Sequence, residues 1–399
     1  MTSHYDDLET RSADARQSAW ANSFPQLIAQ AKTLPGYASF ADIDPGAVLT
    51  SLPVLRKSDL IAAQSKQPPF GGYVPDDARI AHVFQSPGPI YEPGSRTRNW
   101  YRLGRFLHAA GVGPNDIVQN CFSYHLTPAG LMFESAAQAV GARILPAGIG
   151  QTDQQIAAAA HLGVTAFAGT PDYLKVLLDA ADESGLDLSK ITRATVSGGA
   201  LFPSLRQHYA DRGIACTQCY ATADLGNIAY ESPAMDGMIV DEGVLVEIVT
   251  PGTGIPVPEG EVGEVVVTTS NPDYPLIRFA TGDLSAVLPG QSPCGRTNMR
   301  IKGWMGRADQ TTKIKGMFVR PEQVAQIRDR LPGCGRMRLV ISRENDRDHL
   351  LVKVENADAA QTEIAVRAVT RLGSTVAVCP AGSLPADGIV IDDQRVYDR

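Results

Sequence analysis

The sequence predicts an α/β protein: a large N-terminal domain of α/β layers with an appended antiparallel sheet or small barrel, followed by a small α+β C-terminal domain. Three observations predict it. From about residue 80 to 220, short apolar runs alternate with amphipathic helical stretches. After residue 235, strand-like runs are separated by turns rich in Gly and Pro. From about residue 309, a second strand and helix order begins, long enough for its own core.

The first sixty residues read as helix and connector, with SADARQSAWANSFPQLIAQAKTL at helical spacing and Pro35-Gly36 as its stop. Strands are expected at 116–122, 142–146, 165–169, 193–197 and 214–220. Helices are expected at 129–140, 154–162, 172–181 and 203–212. Strands alternating with helices imply a parallel sheet covered on both faces. The runs at 238–240, 245–249 and 261–268 suggest the antiparallel appendage. The last unit reads as helix 321–331, strands 337–342 and 349–355, helix 360–372 and strand 375–378, giving domains at 1–308 and 309–399.

Composition narrows the function. The chain has 399 residues with 36 Lys+Arg against 43 Asp+Glu, a net charge of −7, which argues against nucleic acid as a partner because phosphate contact needs clustered cations. No window approaches about 20 uninterrupted apolar residues, so no membrane span is expected, and the polar start predicts a cytoplasmic chain. The six cysteines include one CxxC, Cys216 and Cys219, read as packed thiols rather than a metal or redox pair.

Four stretches offer chemistry. In YPLIRFATGDL, Asp283 follows a Thr-Gly turn and is expected to stand exposed in a cleft. There it would accept hydrogen bonds from a ribose diol or cap its own turn. Gly303-Trp-Met-Gly-Arg307-Ala-Asp309, running on to Lys315-Gly316, joins the two domains and reads as a hinge or a solvated linker. Ser197-Gly198-Gly199-Ala200 closes a strand where glycine lets backbone approach a flat ligand. Tyr220-Ala221-Thr222-Ala-Asp224 ends another strand, with Asp224 either holding a divalent cation or capping a turn.

Together with LPVLRKSDL, FSYHLTPAG, VSGGALFPSL and GRADQTTKIKG, these stretches resemble the adenylate-forming enzymes, specifically the phenylacetate-CoA ligase branch, over nearly the whole chain. The resemblance implies a C-terminal domain that pivots at Asp309, with ATP/AMP, Mg and coenzyme A as cofactors and a small or aromatic carboxylic acid as substrate. It implies that Asp283 and Arg307 bind the ribose, that Ser197–Ala200 line the adenine, and that Tyr220 stacks on the base beside Ala221 and Thr222. Asp224 takes the place of a magnesium-linked Glu, Tyr124 and His125 fall at the acyl pocket, and Lys315 joins Asp224 and Arg307 as a catalytic candidate. A homodimer is expected by analogy.

Two departures from that pattern stand out. The phosphate-binding stretch reads Ser86-Pro-Gly88-Pro-Ile-Tyr-Glu92-Pro, in which prolines delete N–H donors and Glu92 stands where the family has Lys. Arg96, Arg98 and Arg102 are candidate replacements for the missing charge. In the C-terminal run LPADGIV, Ile389 takes the place of the family's catalytic lysine, with Arg395 or Lys315 as possible substitutes. The expected activity is therefore an AMP-forming acyl-CoA ligase with an altered phosphate grip. The alternative is a nucleotide- or acyl-adenylate-binding relative impaired in activation. No zinc is expected, because only Ser292-Pro-Cys294 remains of the family's Cys/His cluster.

Overall fold

A computed structural model describes residues 4–86, 89–199, 201–310, 312–314, 317–344 and 347–395. Its centre is a nine-stranded sheet. Five strands run parallel in the order Arg143–Pro146, Ile117–Asn120, Ala166–Gly169, Arg193–Val196 and Ala215–Thr222. From Ala215–Thr222 onward the sheet turns antiparallel through Gly226–Glu231, Met238–Val240, Arg300–Ile301 and Val287–Leu288.

The strands of the parallel half are short and largely buried because helices cover both its faces. Ala166–Gly169 is buried at every position. The helix Pro171–Ser184 starts with Pro at its first turn and buries Leu174, Leu177, Leu178 and Ala181, a spacing of three and four that aims one stripe at the sheet. Burial of each such leucine contributes about 1.5–3 kcal/mol. The helices Ala129–Val140, Thr152–Leu162 and Pro203–Asp211 complete the layers.

The appended element is an open sheet in the order Leu55–Arg56, Phe279–Ser285, Gly263–Thr269, Val244–Val249, and the described residues form no closed barrel. Met238–Val240, expected in this appendage, instead pairs with Gly226–Glu231 and Arg300–Ile301 and so extends the large sheet. The helix Ala13–Ala31, capped by the Ser12 hydroxyl, contributes Leu27, Ile28 and Ala31 to the core beneath this sheet.

Residues 314–391 close a separate hydrophobic core of their own. There the strands Thr375–Cys379, Arg347–Glu355, Met337–Glu344 and Ile391–Asp393 lie side by side, with the helices Pro321–Asp329 and Ala359–Thr370 against them. The helix Pro321–Asp329 reaches the large domain through Arg328, whose guanidinium carbon lies 4.6 Å from the ring centre of Phe202.

The stretch aligned with the family's phosphate loop lies in an antiparallel ribbon, His82–Ser86 with Ile90–Gly94, whose tip at 87–88 is outside the described residues. Pro93 faces Val83 in it, which a two-stranded ribbon tolerates because a missing N–H at an outer edge breaks no ladder bond. The ribbon is tied to the helix Lys57–Lys66 by one side chain. The Gln64 amide donates to the Tyr91 carbonyl at 2.7 Å and accepts from the Tyr91 N–H at 2.9 Å, as a neighbouring strand would.

Candidate functional site

The strand Phe279–Ser285 carries Asp283 beneath an extended segment, 302–307, that runs antiparallel to it. Backbone bonds hold that segment: Lys302 donates to Ala286, Met305 to Leu284, and Leu284 to Gly306. Gly282, at φ +75°, is required here, since a Cβ on it would meet the Arg307 guanidinium at 2.8 Å. Gly306, at φ +124°, allows close approach to Pro321, whose side chain a Cβ would meet at 2.2 Å.

Asp283 is buried, at 8% exposure, rather than standing exposed as the sequence suggested. The turn that was expected to present it is covered by the 302–307 segment. Its carboxylate accepts from the Tyr220 hydroxyl at 2.8 Å on one oxygen, and from Trp304 Nε1 and an Arg307 nitrogen, each at 3.1 Å, on the other. Burial, and then the Asp283 charge, push the Tyr220 phenol well above its usual range, so it stays a donor. The arrangement is a rigid anion with donors on both oxygens, suited to holding a polyhydroxyl group. Neither the Tyr220 nor the Trp304 contact was expected from sequence.

Tyr220 ends a strand whose pairing with Gly226–Glu231 shifts register between Tyr220 and Ala221, which re-aims the chain at Ala221 and Thr222. The Thr222 hydroxyl accepts from the Leu225 N–H at 3.1 Å, closing the turn that delivers Asp224. Ser197 bonds across to the Cys219 carbonyl at 3.0 Å, which fixes the neighbouring strand end and places Gly198 and Gly199 beyond it. Tyr124 accepts from the Asn120 amide at 2.8 Å, while His125 is exposed. Asp309 lies in the short helix Ala308–Gln310. Gly88, Ala200 and Lys315 lie outside the described residues.

A second buried polar cluster gathers around Asp224. Asp224 is 4% exposed, and neither of its oxygens has a hydrogen-bond partner in the protein. The Lys57 ammonium, at the start of the helix Lys57–Lys66, lies 3.3 Å away. Glu92 is 1% exposed. Burial first, and then the charge of Asp224, push its carboxyl up to about 7, against the lowering effect of Ser86 and Lys57. The hydroxyls of Tyr101 and Tyr274, both also raised by burial and by Glu92, have no partner in the protein either. Lys57 is the cation that sequence reasoning missed. It stood in view within LPVLRKSDL, but nothing local tied it to Asp224.

Of the arginines proposed from sequence, Arg96 is exposed and the others are committed elsewhere. Arg98 donates to the Ala139 carbonyl at 2.7 Å. Arg102 pairs with the buried Asp241 at 3.2 Å and caps the carbonyls of Leu225 and Asn227. Arg395 bonds Asp393, Asp348 and Thr312. Ile389 is exposed, and its carbonyl accepts from Arg338 at 3.0 Å. Gln310 clamps the same turn, donating to Gly388 and accepting from the N–H groups of Val390 and Ile391.

The Cys216 and Cys219 thiols are buried and pushed up to about 12 by that burial. Among the described residues there is no group of three His, Cys, Asp or Glu placed to hold a metal ion. Nor is any described helix long and apolar enough to cross a membrane.

Known proteins share sequence and fold with this chain. The model of the AMP-binding enzyme family matches residues 98–272. A phenylacetate-coenzyme A ligase of Thermus thermophilus is 26% identical over 383 residues, covering 90% of this chain and 85% of that protein. The Escherichia coli protein of the same name is 27% identical, covering 79% of this chain and 74% of its own. Among solved structures, a 2-hydroxyisobutyryl-CoA ligase in complex with its acyl-adenylate superposes with a TM-score of 0.81 at 24% identity, covering 97% of this chain and 91% of that one, a likeness of fold. These likenesses support the adenylate-forming superfamily, in its phenylacetate-CoA ligase-like branch.

Proposed function

We propose that the protein is an AMP-forming acid–thiol ligase that joins a small or aromatic carboxylic acid to coenzyme A through an acyl-adenylate. The observation that carries this reading is the Asp283 carboxylate, held by Tyr220 and Arg307 beside the junction of the two domains. In the first step a carboxylate oxygen attacks the α-phosphorus of ATP and the bond to pyrophosphate breaks. In the second, the sulfur of coenzyme A attacks the acyl carbon, AMP leaves, and the thiol proton passes to solvent.

In this scheme Asp283 and Arg307 hold the ribose, and Ser197 through Gly199, with Tyr220, Ala221 and Thr222, border the base. Tyr124 and His125 stand toward the acid, and rotation at Asp309 separates the two steps. Asp224 fits a magnesium ion, because its buried oxygens lack protein donors. Such an ion would offset phosphate charge there, with Lys57 as the neighbouring protein cation.

A second reading rests on Glu92, whose buried carboxyl stands on the phosphate side in place of a cation. On that reading the chain transfers acyl groups from a supplied adenylate and activates acids poorly. The test measures pyrophosphate release from ATP with phenylacetate, 2-hydroxyisobutyrate and related acids, alongside thioester formation from synthetic acyl-adenylates. Under the first reading Ile389→Lys raises the adenylation rate by about two to three decades, the usual worth of a donor aimed at developing charge. Thioester from supplied adenylate alone, with no gain in that variant, selects the second. Thioester from neither source removes both.

A further inference from the structure

We propose that Trp304 competes with the ribose diol for Asp283, so that binding of an adenosine nucleotide displaces its indole. This rests on the reading of Asp283 as the ribose anchor. The argument is one of acceptor capacity. A carboxylate offers roughly four lone-pair sites on its two oxygens. Tyr220, Trp304 and Arg307 fill three of them. A diol gripped through both hydroxyls needs two more, one more than remain, so one protein donor gives way.

The three donors differ in how readily they move. Tyr220 is 8% exposed within the strand Ala215–Thr222, and its hydroxyl is held in that burial. Arg307 brings a charge to a buried carboxylate and is bridged to Asp283 through its own backbone. Removing one partner of such a pair is the costly choice. Trp304 is neutral and 46% exposed. The backbone on either side of it stays pinned, by Lys302 to Ala286 and by Met305 to Leu284. Displacement therefore needs only rotation of the indole side chain into solvent, with the connection to the C-terminal domain intact. The indole N–H thereby sets a threshold at the anchor. A ligand that presents two hydroxyls displaces it, whereas a ligand that presents one fills the remaining lone pair and leaves it in place.

The test compares AMP with 2′-deoxy-AMP by calorimetry on the full chain, wild type and Trp304→Phe, a change that keeps an aromatic ring and removes the donor. Expected is a three- to tenfold tighter AMP complex in the variant, the net worth of one hydrogen bond, with 2′-deoxy-AMP changed by less than about twofold. In the wild type, AMP alters tryptophan emission and 2′-deoxy-AMP does not. The AMP response is absent from Trp304→Phe, which retains Trp20 and Trp100. The emission arm uses unaltered protein and stands whether or not the variant folds. AMP affinity unchanged or weakened in Trp304→Phe, equal tightening for both nucleotides, or an emission response surviving in the variant overturns the proposal and leaves the ligase reading in place. Failure of either nucleotide to bind the wild type overturns that reading as well.

Discussion

The two sides of the candidate site are built on opposite principles. Around Asp283, one buried carboxylate has donors on both oxygens, drawn from the strand Ala215–Thr222 and from the 302–307 segment. Around Asp224, Glu92 Oε2, both Asp224 oxygens and the hydroxyls of Tyr101 and Tyr274 are buried without hydrogen-bond partners in the protein, with one ammonium nearby. Buried polar groups are ordinarily satisfied. The first region thus holds its geometry by itself, whereas the second depends on what it binds and on the protonation of Glu92.

The largest effect that can break this contrast is at Asp283. Asp283→Ala removes the acceptor shared by Tyr220, Trp304 and Arg307, and AMP affinity measured by calorimetry falls at least a hundredfold. Stability falls by about 3 kcal/mol as Arg307 loses its partner. Wild-type affinity in that variant would remove the ribose assignment.

Glu92 sharpens the contrast through pH. Its carboxyl is raised from 4.5 to about 7 in the folded chain, so folding favours the protonated form. That contribution is complete below pH 4.5 and is lost as pH rises through about 7. Between pH 5.5 and pH 8, denaturant-derived stability drops by about 2 kcal/mol on this account. Glu92→Gln, which keeps the shape without the charge, removes that part of the slope. An unchanged slope would show that Glu92 is ionised throughout.

The smallest effect is at Gln64. Gln64→Ala leaves both backbone groups of Tyr91 to solvent and costs about 1 kcal/mol, with faster amide exchange confined to 82–94. Exchange that stays slow there would mean that the ribbon is held by its ladder alone.

The same contrast separates what the sequence made legible from what it did not. The parallel strands and their helices were readable because their signals are local: Ala129–Val140 and Ala166–Gly169 fall where the apolar spacing put them. The strands His82–Ser86 and Ile90–Gly94 gave no signal of their own, because the prolines there read only as lost N–H donors, yet the edge of a two-stranded pair accepts Pro93. Asp283 and Arg307 lie in neighbouring motifs, so their meeting could be anticipated. That Asp283 is covered could not, because burial there comes from the Trp304 segment folding back. Lys57 and Asp224 come from distant motifs joined only by the tertiary fold. Arg102 and Arg395 were counted as available charge, but carboxylates far along the chain, Asp241 and Asp348, had already claimed them.

The side-chain amide of Gln64 has a consequence beyond holding the ribbon in place. A two-stranded ribbon presents raw edges on which an extended segment of another molecule can add itself as a further strand, the first event in many routes to aggregation. By filling the hydrogen-bonding positions of Tyr91 with a side chain, the helix imitates the next strand while offering no backbone to extend from. The ribbon is closed to self-association at that point by one glutamine.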